Sequence, residues 1–239
     1  MESVDLLREG ARQFNIDLTD EKIEKFVIYK NMLLEWNKKM NLTAIEDEKE
    51  IIIKHFLDSI SCIFTNVFET GSKIIDVGTG AGFPAIPLKI VNCNLNITLL
   101  DSLNKRLNFL DEVIKELKFD NIVTMHGRAE DIGNNKQYRE EFDVSISRAV
   151  ANLSVLAEYC LPLSKVGGYF ISMKGPDVTE EMNESKNAIH VLGGEIVDIK
   201  KILLPHTQIQ HSIIVIKKVR QCPTKYPRKA GKPSKDPIK

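Results

Sequence analysis

Seven short runs rich in β-branched and apolar residues, all after residue 72, limit the possible folds more than any other feature of the sequence. Longer amphipathic segments separate several of them, and in LNKRLNFLDEVIKEL (103–117) an apolar residue recurs every three or four positions, at Leu103, Leu107, Leu110, Ile114 and Leu117. This alternation predicts an α/β fold with a mostly parallel seven-stranded sheet and helices on both faces. The runs are KIIDVG (73–78), NITLLDS (96–102), NIVTMHG (121–127), FDVSISRAV (142–150), GGYFISMKG (167–175), GEIVDIKKILL (194–204) and HSIIVIKKV (211–219).

The first 70 residues have a helical pattern and no strand pattern. TDEKIEKFVIYKNMLLEWNKK (19–39) begins on a Thr-Asp cap and brings apolar residues to one face, and DEKEIIIKHFLDSISCIF (47–64) predicts a second helix. The polar stretch between them, around Asn41-Leu42-Thr43, predicts a loop. We therefore divide the chain into an N-terminal helical region (1–70), a central α/β domain (71–219) and a basic C-terminal tail (220–239). The apolar face of the first helix holds Ile23, Phe26, Val27, Leu33 and Leu34.

Composition narrows the class of protein. The 239 residues are 43% hydrophobic and 28% charged, with no apolar run near the roughly 20 residues of a membrane-spanning helix and no secretory signal pattern. A cytoplasmic monomer without membrane contact is predicted. The four cysteines are far apart and form no CxxC pair, so neither disulfides nor a metal site is expected, and buried apolar roles are predicted for them. They are Cys62, Cys93, Cys160 and Cys222.

The glycine-rich stretch DVGTGAGF (76–83) follows a predicted strand and precedes a predicted helix. Open α/β sheets place their first ligand-binding turn there. A dinucleotide site would have its third glycine at position 83, where this chain has Phe83. Asp76 lies two residues before Gly78, and a carboxylate suits a cationic ligand better than a pyrophosphate. A tight turn that binds nothing is the alternative.

S-adenosylmethionine, an adenosyl sulfonium, is the ligand that these residues favour. Its ribose would need an acidic partner at the end of the second strand, and Asp101 ends NITLLD there. After the third strand, GRAED (127–131) offers backbone groups at Ala129 and the acid Glu130 near the expected adenine edge. Gly78, Gly80 and Phe83 complete the predicted cofactor cradle.

Eight short motifs are distributed along the chain: NLTAI, HFLDS, DVGTGAGFPAIPL, DSLNKRLNFL, GRAED, SRAV, MKG and YPRKAGKPSKDPI. Together they resemble the bacterial 16S ribosomal RNA guanine-N7 methyltransferases, the RsmG or GidB family. The resemblance implies a Rossmann-like class I S-adenosylmethionine-dependent methyltransferase fold, cofactor contacts at Gly78, Phe83, Ala129, Glu130 and Arg148, and methylation of N7 of a guanine in the 530 loop. The partner would be 16S rRNA, the 30S subunit or its precursor.

N7 of guanine carries a free lone pair and no proton, so this reaction needs no general base. The sequence fits: it has no Asn-Pro-Pro-aromatic element for exocyclic amines and no Pro-Cys pair for covalent attack on carbon 5. Arg148 and Lys174 end two strands on the ligand-binding edge, so we predict catalytic roles for both. The alternatives are a salt-bridged or surface arginine and a solvated lysine.

The last 23 residues carry nine basic side chains and one acid, a net charge of about +8 in a chain with 33 basic and 33 acidic residues. This composition predicts either disorder or RNA contact, not core packing. A chain ending near Lys218 should then keep its cofactor affinity and lose RNA binding. The predicted RNA-binding residues are Lys225, Tyr226, Arg228, Lys229 and Lys232.

Other polar residues receive modest roles. His55, Asp58 and Ser59 in HFLDS are assigned to structure or docking, and His206 and His211 to the surface or core. Three other functions compete with the family's: a methyltransferase for another substrate, a non-catalytic rRNA-binding or assembly factor, and a nicotinamide dehydrogenase. The basic tail argues against a substrate other than RNA, and Phe83 at the third glycine position argues against a nicotinamide dehydrogenase.

Overall fold

The computed structural model of the chain describes residues 3–148 and 151–239 and joins all seven predicted strands in one sheet. Residues 149 and 150, at the end of the predicted fourth strand, lie outside the described residues. The order is β3-β2-β1-β4-β5-β7-β6, with β7 antiparallel to both of its neighbours. The strands are β1 (Lys73–Val77), β2 (Asn96–Asp101), β3 (Ile122–His126), β4 (Phe142–Arg148), β5 (Ser164–Lys174), β6 (Gly194–Leu203) and β7 (Gln210–Lys218).

The strand order reverses between β1 and β4, which pair in parallel at the centre of the sheet. In open α/β sheets this reversal leaves a crevice at the carboxyl ends of the strands. The carboxyl ends of β1, β2, β3 and β4 therefore face one shared site.

The N-terminal region is helical, as predicted. Thr19 caps the second helix by accepting a hydrogen bond from the Lys22 N–H, and Asn41 ends it in a left-handed conformation (φ +50°). The helix predicted over residues 47–64 is not regular, because a π-helical turn over Ile52–Leu57 interrupts it. The elements are α1 (Ser3–Gln13), α2 (Asp20–Met40), α3 (Glu48–Ile51), the π turn, α4 (Asp58–Ile60) and a 3₁₀ turn (Ser61–Thr65).

Helices cover both faces of the sheet. The buried side chains of α1, α2, α5 and α6 form one core with the first face, and those of α8 and α9 form a second core with the other. Two predictions are wrong in detail: Leu103 precedes α6 and is 42% exposed, and Cys93 is exposed. The remaining helices are α5 (Ala85–Val91), α6 (Asn104–Glu116), α7 (Ala129–Asn134), α8 (Leu153–Cys160), α9 (Thr179–Val191) and α10 (Lys232–Lys235).

The basic C-terminal tail packs on the domain, contrary to the prediction from its composition. Arg228 forms an ion pair with the buried carboxylate of Glu158, at 2.6 Å between Nη2 and Oε2. The guanidinium of Arg139 donates to the carbonyl oxygens of Cys222 and Tyr226, both at 2.7 Å. One of the basic side chains that predicted disorder is thus neutralised by Glu158 of the domain. Two backbone carbonyls of the tail are bound by Arg139.

Within residues 3–148 and 151–239, no helix is both long enough and apolar enough to cross a bilayer.

Candidate functional site

A cavity of about 500 Å³ opens at the carboxyl ends of the central strands. The loops after β1, β2 and β3 form its walls, together with the end of β4, the loop after α2 and part of the C-terminal segment. Of the predicted cofactor residues, all but one line it: Gly78, Gly80, Phe83, Asp101, Ala129, Glu130 and Arg148.

The glycine loop forms the floor of this cavity. Gly78, Gly80 and Gly82 have φ values of +73°, +61° and +100°, a region that favours glycine. A Cβ on Gly82 would lie 2.6 Å from Ile86 Cγ1, whereas one on Gly80 would meet only the Gly78 carbonyl oxygen, at 4.0 Å. Gly82 therefore permits close packing of the loop on α5, and the space above Gly80 is free for a ligand.

Asp101 is the acid at the end of β2. Its Oδ2 accepts from the Gly80 N–H at 3.0 Å and from Arg106 Nη1 at 3.2 Å, and its Oδ1 accepts from the Leu103 N–H at 2.9 Å. The carboxylate is buried yet lines the cavity. It is thus fixed in one orientation, with the glycine loop attached to it.

Asp76 does not line the cavity, unlike the other predicted cofactor residues. Its carboxyl group is fully buried beneath the loop, where Oδ2 accepts from Thr79 Oγ1 at 2.8 Å and Oδ1 has no partner among the described residues. Burial raises the pKa of Asp76 to about 7, against the lowering effect of the Thr79 hydrogen bond. The predicted direct contact of Asp76 with the cofactor is therefore wrong, because the carboxyl group lies beneath the loop and does not reach the cavity.

Phe83, His55 and Arg148 stack beside the glycine loop. The ring centroids of His55 and Phe83 are 4.4 Å apart, and the Arg148 guanidinium carbon lies 4.8 Å from the Phe83 centroid. Arg148 also donates from Nη1 to the Lys54 carbonyl (3.1 Å) and to Asp58 Oδ2 (3.0 Å). The predicted catalytic arginine is thus held by the π-helical turn, which supplies Lys54 and His55, and by the next residue after it, Asp58.

The hydrogen bonds of His55 define its tautomer. Arg148 Nη2 can only donate, so Nδ1 of His55 accepts at 3.1 Å, and Nε2 donates to Thr43 Oγ1 at 2.8 Å. Burial, followed by the Arg148 charge, lowers the pKa of His55 to about 3. The ring is therefore neutral at physiological pH, and neither nitrogen is free.

A second cavity, of about 390 Å³, lies on the other side of His55 and Arg148, which line both cavities. Its polar lining includes Asp58 and His211, whose Nδ1 lies 2.7 Å from Asp58 Oδ1. The sequence pattern indicates no functional role for His211 and only a structural or docking role for Asp58, because the two residues are 153 positions apart. The only sequence signal for a role of Asp58 was the HFLDS motif that contains it.

Lys174 lines the second cavity and not the first. Its Nζ donates to Glu181 Oε1 at 2.6 Å and to the Ala151 carbonyl at 2.5 Å. The lysine predicted to be catalytic is therefore engaged in an ion pair with Glu181.

Two other polar residues of the sequence analysis have no contact with either cavity. His206 lies in the turn between β6 and β7, and the Ser59 hydroxyl donates to the His55 carbonyl within the helix. In the part of the chain that the structure describes, no three acidic, histidine or cysteine residues cluster as metal ligands.

The C-terminal segment completes the first cavity, through Gly231 and Ser234. The Gly231 N–H donates to Glu130 Oε1 at 2.8 Å, and Ser234 Oγ lies 2.8 Å from the Tyr159 hydroxyl oxygen. Glu130, predicted near the adenine edge, thus also anchors the tail. The sequence could not predict these contacts, since nothing in it pairs a glycine near the end of the chain with an acid about 100 positions earlier.

Comparison with known proteins decides the family. The profile of the GidB family, described as rRNA small subunit methyltransferase G, matches residues 22–211. The chain belongs to the rRNA small subunit methyltransferase G family. Among members that carry this name, that of Alkaliphilus oremlandii is 58% identical over the full length of both chains. That of Acetivibrio thermocellus is 58% identical over 98% of this chain and 96% of its own.

Solved structures agree with this family in fold. The crystal structure of M. jannaschii TYW2 in complex with AdoMet superimposes with a TM-score of 0.53 at 15% identity, over 68% of this chain and 77% of that one. The Rossmann-like class I methyltransferase fold and the S-adenosylmethionine cofactor, both predicted, are confirmed for this member of the rRNA small subunit methyltransferase G family. The cavity fits that cofactor, because it combines free space above Gly80, an oriented carboxylate on Asp101 and the orphaned Asp76 oxygen under the loop.

Proposed function

We propose that this protein transfers a methyl group from S-adenosylmethionine to N7 of a guanine in the 530 loop of 16S rRNA. Membership of the rRNA small subunit methyltransferase G family supports ribosomal RNA as the acceptor. The observation that carries the proposal is that two cavities adjoin at His55 and Arg148, which form part of the wall of each. One reactant can occupy each cavity, with the methyl group and N7 meeting beside these two side chains.

The cofactor supplies a methyl group on a positively charged sulfur. Asp101 would accept from ribose hydroxyls, Ala129 and Glu130 would border the base, and Gly78 and Gly80 would leave room for the chain that carries the sulfur, since all five residues line the cavity. The Asp76 carboxyl group is buried beneath the loop and, because burial raises its pKa to about 7, it can carry a negative charge there near neutral pH. These residues bind and orient, and none of them has to move a proton.

The acceptor side needs no general base, since N7 of guanine has a lone pair and no proton. His55 fits this chemistry, because it is neutral and both of its nitrogens are engaged. Arg148 is held by three acceptors and stacks on Phe83, so it is a rigid part of the wall. Alignment of the reactants alone can supply about 7–11 kcal/mol when the geometry is good.

The C-terminal segment supports RNA binding beside the cofactor cavity. Lys225, Lys229 and Lys232 are exposed on it, and Lys232 forms a surface ion pair with Asp236 at 2.7 Å. Arg228 is occupied by the buried Glu158, and the Tyr226 ring lies near the charged groups of Lys225 and Arg228. We assign phosphate contacts to the three lysines and a supporting role to the other two residues. Exposed cations supply most of the sequence-independent affinity for RNA.

One experiment tests the proposal. The protein is incubated with methyl-labelled S-adenosylmethionine and, separately, with 30S subunits, naked 16S rRNA and tRNA, and the labelled base is mapped. Label at N7 of a guanine in the 530 loop is expected. Label elsewhere in 16S rRNA would overturn the position, label in tRNA alone would favour another substrate, and no label would favour a non-catalytic assembly factor.

A further inference from the structure

We infer that the second cavity receives the target guanine, turned out of its RNA stack, and that His211 reads its Watson–Crick edge. The inference rests on the proposed function and adds to it the residue that distinguishes guanine from adenine. Enzymes that modify a base inside a folded nucleic acid extrude it into a pocket, where apolar side chains hold its faces and polar groups read its edge.

The cavity has the composition of such a pocket. Ile45, Met173 and Ile209 supply apolar walls, and Asp58, His211 and Arg148 supply the polar groups. Its volume of about 390 Å³ is typical of small-molecule sites. Because Arg148 and His55 also border the cofactor cavity, a base in the second cavity lies next to the cofactor.

The cations of this cavity are already neutralised. Arg148 pairs with Asp58 at 3.0 Å and Lys174 with Glu181 at 2.6 Å. Methylation of N7 places a positive charge on the base, which unpaired cations would oppose. The pairing therefore suits a neutral base that becomes cationic, and not an anionic group such as phosphate.

His211 is oriented for a single role. A carboxylate oxygen can only accept, so Nδ1 of His211 carries a proton and donates to Asp58 Oδ1 at 2.7 Å. Nε2 has no partner among the described residues, and in the neutral ring it is an acceptor. Guanine presents the N1–H and N2–H donors on its Watson–Crick edge, whereas adenine presents the N1 lone pair beside its N6 amino group. An acceptor at Nε2 that faces position 1 of the base thus binds guanine and repels adenine.

The decisive variant is His211→Asn. The Asn side-chain amide can keep the hydrogen bond to Asp58 that Nδ1 makes, but it has no group at the position of Nε2. His211→Gln is the complement, since its amide oxygen can reach the Nε2 position. His206→Asn is the matched control, because His206 is exposed, lies away from both cavities and has a φ of +61° that asparagine tolerates.

The substrates are rRNA molecules with guanosine, inosine or adenosine at the target position, all of which retain N7. For the wild type we expect efficient methylation of guanosine and inosine and poor methylation of adenosine. His211→Asn should lower the guanosine rate roughly 10- to 100-fold with no loss for adenosine, because the repulsion of the adenine N1 lone pair is removed, so that the ratio between the two collapses. His211→Gln should recover part of this ratio, and His206→Asn should match the wild type.

Cofactor affinity by calorimetry and the melting temperature establish that each variant is folded. An unchanged guanosine-to-adenosine ratio in His211→Asn would overturn the inference, as would an equal loss on both substrates. Such a result leaves the proposed function intact, because the wild type still methylates guanosine. A wild type that methylates none of the RNAs would overturn the proposed function and this inference together.

Discussion

The carboxylate of Glu130, at the start of α7, accepts the backbone N–H of Gly231 at a distance of 2.8 Å. This contact joins the wall of the cofactor cavity to the C-terminal segment, since both residues line that cavity. The tail is therefore part of the cavity, so the expectation that a chain ending near Lys218 keeps its cofactor affinity is at odds with the structure.

Glu130→Ala should weaken S-adenosylmethionine binding by about tenfold, because it leaves the half-buried Gly231 N–H without its acceptor and releases the segment. The same substitution should speed protease cleavage after residue 219. Calorimetry and limited proteolysis measure the two effects. The control is Asp131→Ala, an exposed neighbour on the same helix, which should change neither. Equal affinities in the two variants would contradict the role assigned to Glu130.

The pair of Glu158 and Arg228 makes a prediction about stability. Glu158 is fully buried, and Arg228 neutralises it through both carboxylate oxygens. Arg228→Ala leaves this charge buried and unpaired, so we expect the free energy of unfolding to fall by about 3–5 kcal/mol. Denaturant unfolding measures the change. The adjacent exposed Lys229 is the control, and Lys229→Ala should change stability by less than about 0.5 kcal/mol.

Asp76 makes the stability of the free protein depend on pH. Burial raises its pKa from 3.8 to about 7, so the folded state binds a proton more tightly than the unfolded state does. This contribution is fully present below about pH 4 and is lost as the pH rises toward 7. Asp76→Asn removes the burial cost of the charged form. The variant should melt at a higher temperature than the wild type at pH 8, with a smaller difference at pH 5.

The measurement for Asp76→Asn is thermal unfolding without cofactor at the two pH values. Its cofactor affinity should fall, because the ligand is cationic and the variant has no charge beneath the loop. A melting-temperature difference that is the same at pH 5 and pH 8 would argue against the raised pKa.

The exposed lysines of the C-terminal segment make a prediction about RNA binding. Replacing Lys225, Lys229 and Lys232 by alanine should weaken binding to 16S rRNA and lower the slope of log K against log salt by roughly 2, at about 0.7 per phosphate contact with a single strand. Cofactor affinity should not change. Titrations at several salt concentrations measure the slope. The same change at Lys115, Lys186 and Lys201, exposed elsewhere on the domain, should leave it unaltered.

The parts of the fold that depend on local pattern could be predicted from the sequence. All seven strands were predicted, because each is a short run rich in β-branched and apolar residues, and the glycine loop was predicted because three glycines follow a strand. Asp101 was found for the same reason, since the end of β2 is fixed once β2 is known. Predicting these features requires only the spacing of apolar residues along the chain and the general topology of an open α/β sheet.

The features that depend on distant pairing could not be predicted. Composition made the C-terminal segment resemble a disordered tail, but Glu130, Glu158 and Arg139 bind it at positions that no local pattern indicates. The sequence around His211 is that of an ordinary strand histidine, and nothing in it indicates the hydrogen bond to Asp58. The π-helical turn that orients His55 likewise could not be predicted, because the spacing of apolar residues indicates only a regular helix there.

The lining of the cofactor cavity extends along the sequence from Leu42 to Ser234. A ligand that binds only this assembled site stabilises every segment that contributes to it, by RT ln(1 + [L]/Kd), or about 2.7 kcal/mol at a concentration of 100 Kd. Saturating cofactor should therefore protect the N-terminal helices and the C-terminal segment together from hydrogen exchange. In this chain, occupancy of the cavity couples the folding of two ends that are almost 200 residues apart.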